Sequence, residues 1–146
     1  MATVVRHRFS VEDYHRMAQA GILGEDDRVE LIDGEIVDMA PIGPRHAGTV
    51  KRLADLLSGA LRGRAILSVQ DPVRLGERSE PQPDVALLRP RADYYASGHP
   101  TAADVLLVVE VAETSADYDR QVKVPLYARH GVAEAWLVDL AAGAVE

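Results

Sequence analysis

The sequence of 146 residues contains no cysteine. Disulfide bonds, thiolate zinc sites and a cysteine nucleophile are therefore excluded. A metal ion would have to be bound by carboxylates, histidine or backbone oxygens, and these ligands favour hard cations such as Mg²⁺.

The chain also lacks any apolar run that approaches the roughly 20 residues needed to cross a bilayer. Residues 1–10 are polar and basic, without the apolar segment of a signal peptide. We therefore expect a cytoplasmic protein. Repeats, low-complexity tracts and long linkers are missing as well, which predicts a single domain over residues 1–146.

Positive charge is in deficit, because 16 Lys and Arg face 23 Asp and Glu and give a net charge of −7. This balance argues against a protein that simply coats nucleic acid, since Lys and Arg supply most of the affinity for phosphates. Between residues 44 and 64 the balance reverses, and five basic residues against one acid give +4. The residues concerned are Arg45, Lys51, Arg52, Arg62 and Arg64, with Asp55 as the acid. A solvated helix face is the more common explanation of such a pattern, and a nucleic-acid contact is the alternative.

Hydrophobic periodicity predicts a mixed sheet layered with helices, an α/β (α+β) fold class. The predicted helices cover residues 11–20, with Ser10 as N-cap, then 44–63, and a segment within 118–130. A hairpin is predicted within 28–39 around Asp33-Gly34. Further strands are predicted over residues 65–70, 73–75, 84–88, 104–111 and 134–140. The presence of another C-terminal strand after the turn-like residues 141–143 is left open.

Three acids lie where a core strand should be apolar. Glu110 ends an apolar run, Asp84 opens another after Pro83, and Glu30 stands between Val29 and Leu31. Ionised groups are rarely buried unless they are paired or bind a metal. Each acid alone could instead lie at a strand end and reach solvent.

A lysine supplies the complementary charge. Asp119, Lys123 and Tyr127 are spaced by four and would share one helix face that leans toward the sheet. A surface Asp-Lys pair is the alternative. Pro125 leaves open whether Lys123 lies in the helix or in the turn before it. His46 falls on the apolar side of the helix that starts at residue 44, near the end that attracts anions, and could contact a phosphate or be a core histidine.

Several short motifs follow one another along the chain. They are Val29-Glu-Leu-Ile-Asp-Gly-Glu-Ile-Val37, Pro44 with His46, Pro83-Asp84-Val85, Val108-Val-Glu-Val111, Tyr118-Asp-Arg120 with Lys123 and Tyr127-Ala128, and Gly131-Val-Ala-Glu-Ala-Trp-Leu-Val-Asp139. In this order, over about residues 9 to 139, they resemble the Uma-type restriction endonuclease family of the PD-(D/E)xK nuclease superfamily.

The resemblance implies a restriction endonuclease-like fold, a three-layer core with a mixed central sheet, flanking helices and an N-terminal β-hairpin. It implies that Asp84 and Glu110 on adjacent strands bind Mg²⁺, or Mn²⁺ as a substitute, with Glu30 as a further catalytic and metal-binding acid. The usual lysine two residues after the glutamate is absent, because that position is Ala112, and Lys123 would take its place.

The predicted function is accordingly a Mg²⁺-dependent DNA endonuclease that hydrolyses phosphodiester bonds, expected as a homodimer. His46, Asp119 and Tyr127 would contact phosphate or support the metal ligands, and the basic residues Arg45, Lys51 and Arg52 would contact the DNA backbone. A nuclease-like fold that binds DNA or protein without cutting is a second interpretation, motivated by the missing strand lysine and the net charge of −7. A small-molecule enzyme is a weaker third, because the chain lacks the glycine-rich phosphate-binding loops.

Overall fold

The structure, a computed structural model, describes residues 3–146 and contains a five-stranded mixed sheet beside a two-stranded hairpin. The strands are β1 Val29–Ile32, β2 Glu35–Asp38, β3 Ile66–Val69, β4 Val85–Leu88, β5 Val105–Ala112, β6 Ala135–Asp139 and β7 Ala144–Val145. The helices are α1 Val11–Gln19, α2 Pro44–Ala60, α3 Ala116–Tyr118 and α4 Val124–Arg129, with a π-helical segment Asp119–Lys123 between the last two. A 3₁₀ turn, Ala102–Asp104, precedes β5.

In the N-terminal half, the helix start at Ser10 and the hairpin turn at Asp33-Gly34 form as predicted. The Ser10 hydroxyl accepts a hydrogen bond from the Asp13 amide at 3.0 Å, and the Asp13 carboxylate accepts one from the Ser10 amide at 3.1 Å. This capping box starts α1. At the hairpin turn Asp33 and Gly34 both have positive φ, 49° and 81°, as a two-residue turn requires. A Cβ on Gly34 would lie 2.5 Å from the Cβ of Arg8, so glycine is needed there.

The strand order of the main sheet is β3-β4-β5-β6-β7. Only β5 and β6 run parallel; the other neighbouring pairs are antiparallel. The crossover between β5 and β6 consists of α3, the π-helical segment and α4. The C-terminal strand left open by the sequence exists as the two residues of β7, paired with β6.

Both faces of the sheet are covered. Because side chains alternate along a strand, Val85 and Leu87 pack on one face with Val50 of α2. Ala86 and Leu88 pack on the other face, in the cluster that includes buried residues of α4. The result is the predicted three-layer arrangement, with α2 on one side and α4 on the other.

The strand predicted over residues 73–75 is wrong. Arg74 and Leu75 make only isolated bridges. The amides of Val73, Arg74 and Leu75 donate to three separate carbonyls, those of Pro81, Pro100 and Ser79. Pro81 and Pro83 lack amide hydrogens, so the segment opposite cannot continue a ladder.

Pro125 explains the π-helical segment. In an α-helix its ring would clash with the carbonyl four residues upstream. Here the chain forms a wider turn, in which the amide of Val124 donates to the carbonyl of Asp119, five residues earlier. Lys123 therefore lies in the π-helical segment directly before α4.

Among residues 3–146, no helix is both long enough and apolar enough to cross a membrane.

Candidate active site

The predicted acids surround one cavity of about 470 Å³. It lies where β4 begins and β5 ends, and the N-terminus of α2 and the loop before it form one of its walls. Its lining includes Glu30, His46, Asp84, Glu110, Asp119 and Lys123.

Asp84 is held at the edge of the cavity by β5. The pairing of Val85 with Val109 places Asp84, the residue just before β4, beside the C-terminal half of β5. The backbone amide of Val111 donates to Asp84 Oδ2 at 2.8 Å. The other oxygen, Oδ1, lies 3.2 Å from His46 Nε2. Asp84 is therefore buried with one oxygen fixed by the sheet and one beside the α2 histidine.

Glu110 points toward the layer of α4. It shares a face of β5 with Val108, which packs in the same cluster as Tyr127 of α4. The Tyr127 hydroxyl donates to Glu110 Oε1 at 2.6 Å. Lys123 Nζ lies 2.9 Å from the same oxygen. Glu110 is only 4% exposed, so these two groups replace water as its partners.

Lys123 joins the hairpin to the main sheet. Its Nζ donates to Glu30 Oε2 on β1 at 3.0 Å, in addition to its contact with Glu110. The amide of Gln82 also donates to Glu30 Oε2, at 2.9 Å. The lysine is 3% exposed, and a buried ammonium with two carboxylate partners has the compensation that burial demands.

The protonation of these groups follows from burial and from their neighbours. Burial and the nearby carboxylates of Asp84, Asp119 and Glu30 raise the pKa of Glu110 to about 8, although the Lys123 ammonium opposes the shift. Burial alone would lower the pKa of Lys123, but the adjacent Glu110 and Glu30 raise it above its ordinary value. The lysine is therefore charged at neutral pH, while Glu110 readily takes up a proton.

Two further predicted residues sit on the same cavity. Asp119 Oδ2 accepts a hydrogen bond from the Ser115 hydroxyl at 2.9 Å, and burial raises the pKa of Asp119. His46 Nδ1 is buried and has no hydrogen-bond partner among the residues that the structure describes. The side chain of His46 thus has an unused polar atom beside the acids.

The structure brings together Glu30, Asp84, Glu110, Lys123, His46, Asp119 and Tyr127. The predicted DNA-backbone residues Arg45, Lys51 and Arg52 lie on α2 and do not line the cavity. Lys51 and Arg52 are exposed, whereas the Arg45 guanidinium donates to the Leu140 carbonyl at 2.7 Å. The chemical role of each residue stays a prediction.

Sequence reasoning missed the supporting donors. The backbone amides of Gln82 and Val111 carry no side-chain signal, and their contribution depends on strand register alone. The Ser115 hydroxyl could have been found, because it precedes Asp119 by one helical turn.

The residues of this site could hold a divalent cation through two carboxylates. Within residues 3–146, no cluster of three or more Asp, Glu or His side chains has the geometry of a metal centre. Mg²⁺ needs only one or two carboxylates, with water and substrate oxygens completing its coordination. Asp84, directly before β4, and Glu110, on the neighbouring β5, face one cavity and satisfy that requirement.

A solved structure shares this architecture. A crystal structure from Anabaena variabilis ATCC 29413, described as a "putative nuclease belonging to DUF820", matches 90% of this chain and 74% of its own chain, with a TM-score of 0.69 and 14% sequence identity. No curated protein matches the sequence significantly.

The sheet topology and this match define a nuclease-like fold of the restriction endonuclease type. The family model described as "Putative restriction endonuclease" matches residues 11–146. The chain belongs to this family, Uma2, and the membership and the fold together support a nuclease function.

Proposed function

We propose that the protein is a Mg²⁺-dependent DNA endonuclease whose active site is formed by Asp84, Glu110 and Lys123. The observation that carries the proposal is the convergence of two carboxylates and a buried ammonium on one cavity, with 2.9 Å between Lys123 Nζ and Glu110 Oε1. Phosphodiester hydrolysis needs an activated water, relief of charge on the phosphoryl oxygens and a stabilised leaving oxygen. Family membership supports the same reaction class.

Asp84 and Glu110 would hold Mg²⁺. When bound, the ion activates water and neutralises charge on the phosphoryl group. Tyr127 keeps Glu110 Oε1 in place through its hydrogen bond, and Val111 does the same for Asp84 Oδ2.

Lys123 would act as a donor rather than as a base. Its pKa is raised by Glu110 and Glu30, so its Nζ keeps its protons at neutral pH. A fixed ammonium can orient the attacking water or contact a phosphoryl oxygen, which stabilises the charge that develops in the transition state. A lysine that stays charged cannot deprotonate the attacking water, so we assign Lys123 the role of orienting it.

Plasmid cleavage tests the proposal. Supercoiled DNA incubated with the protein and Mg²⁺ should be converted to nicked or linear products, and EDTA should prevent the conversion. An Asp84→Ala preparation purified in parallel is the control for a contaminating nuclease, because equal cleavage by both preparations would reject the assignment. DNA binding without cleavage by the wild type would instead favour a module that binds without cutting.

The exposed basic residues of α2 would contact the DNA backbone. Arg52 lies about 9 Å further along the helix axis than His46, at a rise of about 1.5 Å per residue. Arg52→Ala is expected to weaken binding to DNA of any sequence, and to lower the slope of log affinity against log salt concentration by about one. Fluorescence anisotropy over a series of salt concentrations measures this slope.

Arg16→Ala is the matched control, since Arg16 is an exposed basic residue on α1 and does not line the cavity. Equal slopes for Arg52→Ala and Arg16→Ala would contradict a specific role for α2. The homodimer expected from the resemblance stays a prediction, which sedimentation equilibrium would test.

A further inference from the structure

Glu30 differs from the other two acids in its place in the fold. It belongs to the hairpin strand β1, whereas Asp84 directly precedes β4 and Glu110 lies on the neighbouring strand β5 of the main sheet. Its Oε2 atom already accepts two hydrogen bonds, from Lys123 Nζ at 3.0 Å and from the Gln82 amide at 2.9 Å. Glu110 Oε1 is also contacted by two donors, Tyr127 and Lys123, so what sets Glu30 apart is its position on the hairpin.

Lys123 needs a partner that stays negative when a metal binds. Its two carboxylate partners are Glu30 and Glu110. A cation bound by Glu110 would weaken the attraction between Glu110 and the ammonium, and would itself repel the ammonium. Glu30 would then be the carboxylate that continues to hold Lys123 Nζ at the cavity.

A lysine side chain is long and flexible, and its ammonium is strongly hydrated. Without Glu30, the ammonium next to a bound cation would turn away from the cavity toward water. Burial of the side chain does not prevent this movement. An ammonium without a partner is unfavourable in a buried site, so burial itself drives it toward water.

We infer that Glu30 is a positioning residue for Lys123, and not a metal ligand: its hydrogen bond to Nζ keeps the ammonium at the active site while Glu110 is engaged by Mg²⁺. This inference rests on the proposed function and assigns Glu30 a different role from the one implied by family resemblance.

The lysine content of the chain permits a direct test. The sequence contains two lysines, Lys51 and Lys123; Lys51 is exposed on α2 and Lys123 is buried. Protein labelled with ¹⁵N-lysine should therefore give one ammonium NMR signal that exchanges fast with water and one protected signal from Lys123. The Lys51 signal serves as an internal reference in every sample.

In wild-type protein the protected Lys123 signal should persist when MgCl₂ is added. In Glu30→Gln, which keeps the side-chain shape but removes the charge, MgCl₂ should abolish the protected signal and leave Lys51 unchanged. The Mg²⁺ affinity of Glu30→Gln, measured by calorimetry, should stay close to that of wild type. Cleavage should fall by about 10- to 100-fold, as is typical when a supporting partner is removed, with the loss in kcat rather than in KM for DNA.

Two results would overturn the inference. One is a protected Lys123 signal in Mg²⁺-bound Glu30→Gln. The other is a loss of Mg²⁺ affinity in Glu30→Gln as large as that in Glu110→Gln, which would make Glu30 a ligand. If Glu30→Gln does not fold, the wild-type protein still decides, because loss of its protected signal in MgCl₂ would contradict the inference. Failure of the proposed function is a distinct result, in which wild-type protein neither binds Mg²⁺ nor cleaves DNA.

Discussion

Replacing Lys123 by methionine is expected to lower Mg²⁺-dependent cleavage by about 100- to 10,000-fold, the range typical for loss of a group that handles a proton or a developing charge. The same change should lower the free energy of unfolding by about 3 to 5 kcal/mol, because it leaves the buried carboxylates without their counter-charge. Cleavage is measured in single-turnover assays on plasmid DNA, and stability by urea denaturation. The destabilisation should be smaller near pH 6 than above pH 8, since Glu110, whose pKa burial raises to about 8, is protonated at the lower pH and then needs no counter-charge.

Lys51→Met provides the stability control. It removes the same charge from an exposed position on α2, where a substitution typically changes the free energy of unfolding by no more than about 0.5 kcal/mol. Cleavage by Lys123→Met within about tenfold of wild type would contradict the proposed role of the ammonium. A stability loss no larger than that of Lys51→Met would show that the buried ion pairs contribute little.

Elements that depend on local chemistry were predictable from the sequence. Ser10 and Asp13 form the capping box of α1, and Asp33-Gly34 forms the hairpin turn, because both features depend on residues only a few positions apart. The helix predicted over residues 44–63 was confirmed as α2, which ends at Ala60. The strand prediction for residues 73–75 failed because their hydrogen-bond partners are divided between two parts of the chain, residues 79–81 and Pro100, and no local pattern encodes this division.

The candidate site was predictable as a set of residue types, but not as a geometry. A charged residue within an apolar strand needs a partner, and this argument correctly selected Glu30, Asp84 and Glu110 as buried acids. The helical spacing likewise placed Lys123 and Tyr127 against the sheet. The shared contact of both groups with Glu110 Oε1 depends on the π-helical turn before Pro125, and helical periodicity does not anticipate that turn.

The contact of His46 with Asp84 shows a second limit of prediction from the sequence. The two residues are far apart in the sequence, and α2 had to be docked on the sheet before Nε2 came within 3.2 Å of Oδ1. The sequence suggested that His46 lies on the apolar side of a helix near its start, as a phosphate contact or a core histidine. The particular acid that it contacts is a property of the tertiary packing.

Raising the pH from 6 to 8 is expected to strengthen Mg²⁺ binding by about 50-fold, with a slope of about tenfold per pH unit near pH 6 that levels off above pH 8. The reason is that burial and neighbouring carboxylates raise the pKa of Glu110 to about 8. A carboxylate must be deprotonated to bind a metal, so the proton competes with Mg²⁺ below that pH. Calorimetry in two buffers with different ionisation enthalpies measures both the affinity and the proton released, which should be about one per ion near pH 6.

The raised pKa of Glu110 also determines how the stability of the metal-free protein changes with pH. Folded Glu110 retains its proton up to pH values near 8, while an unfolded glutamate loses it near the ordinary value of 4.5. The folded state therefore binds more protons in this window, and the contribution of Glu110 to stability is lost as the pH rises toward 8. Glu110→Gln, which stays neutral, should lack this pH dependence and should also lose Mg²⁺ binding. An affinity for Mg²⁺ that does not change between pH 6 and 8 would mean that Glu110 is not the ligand, or that it is already ionised before the metal arrives.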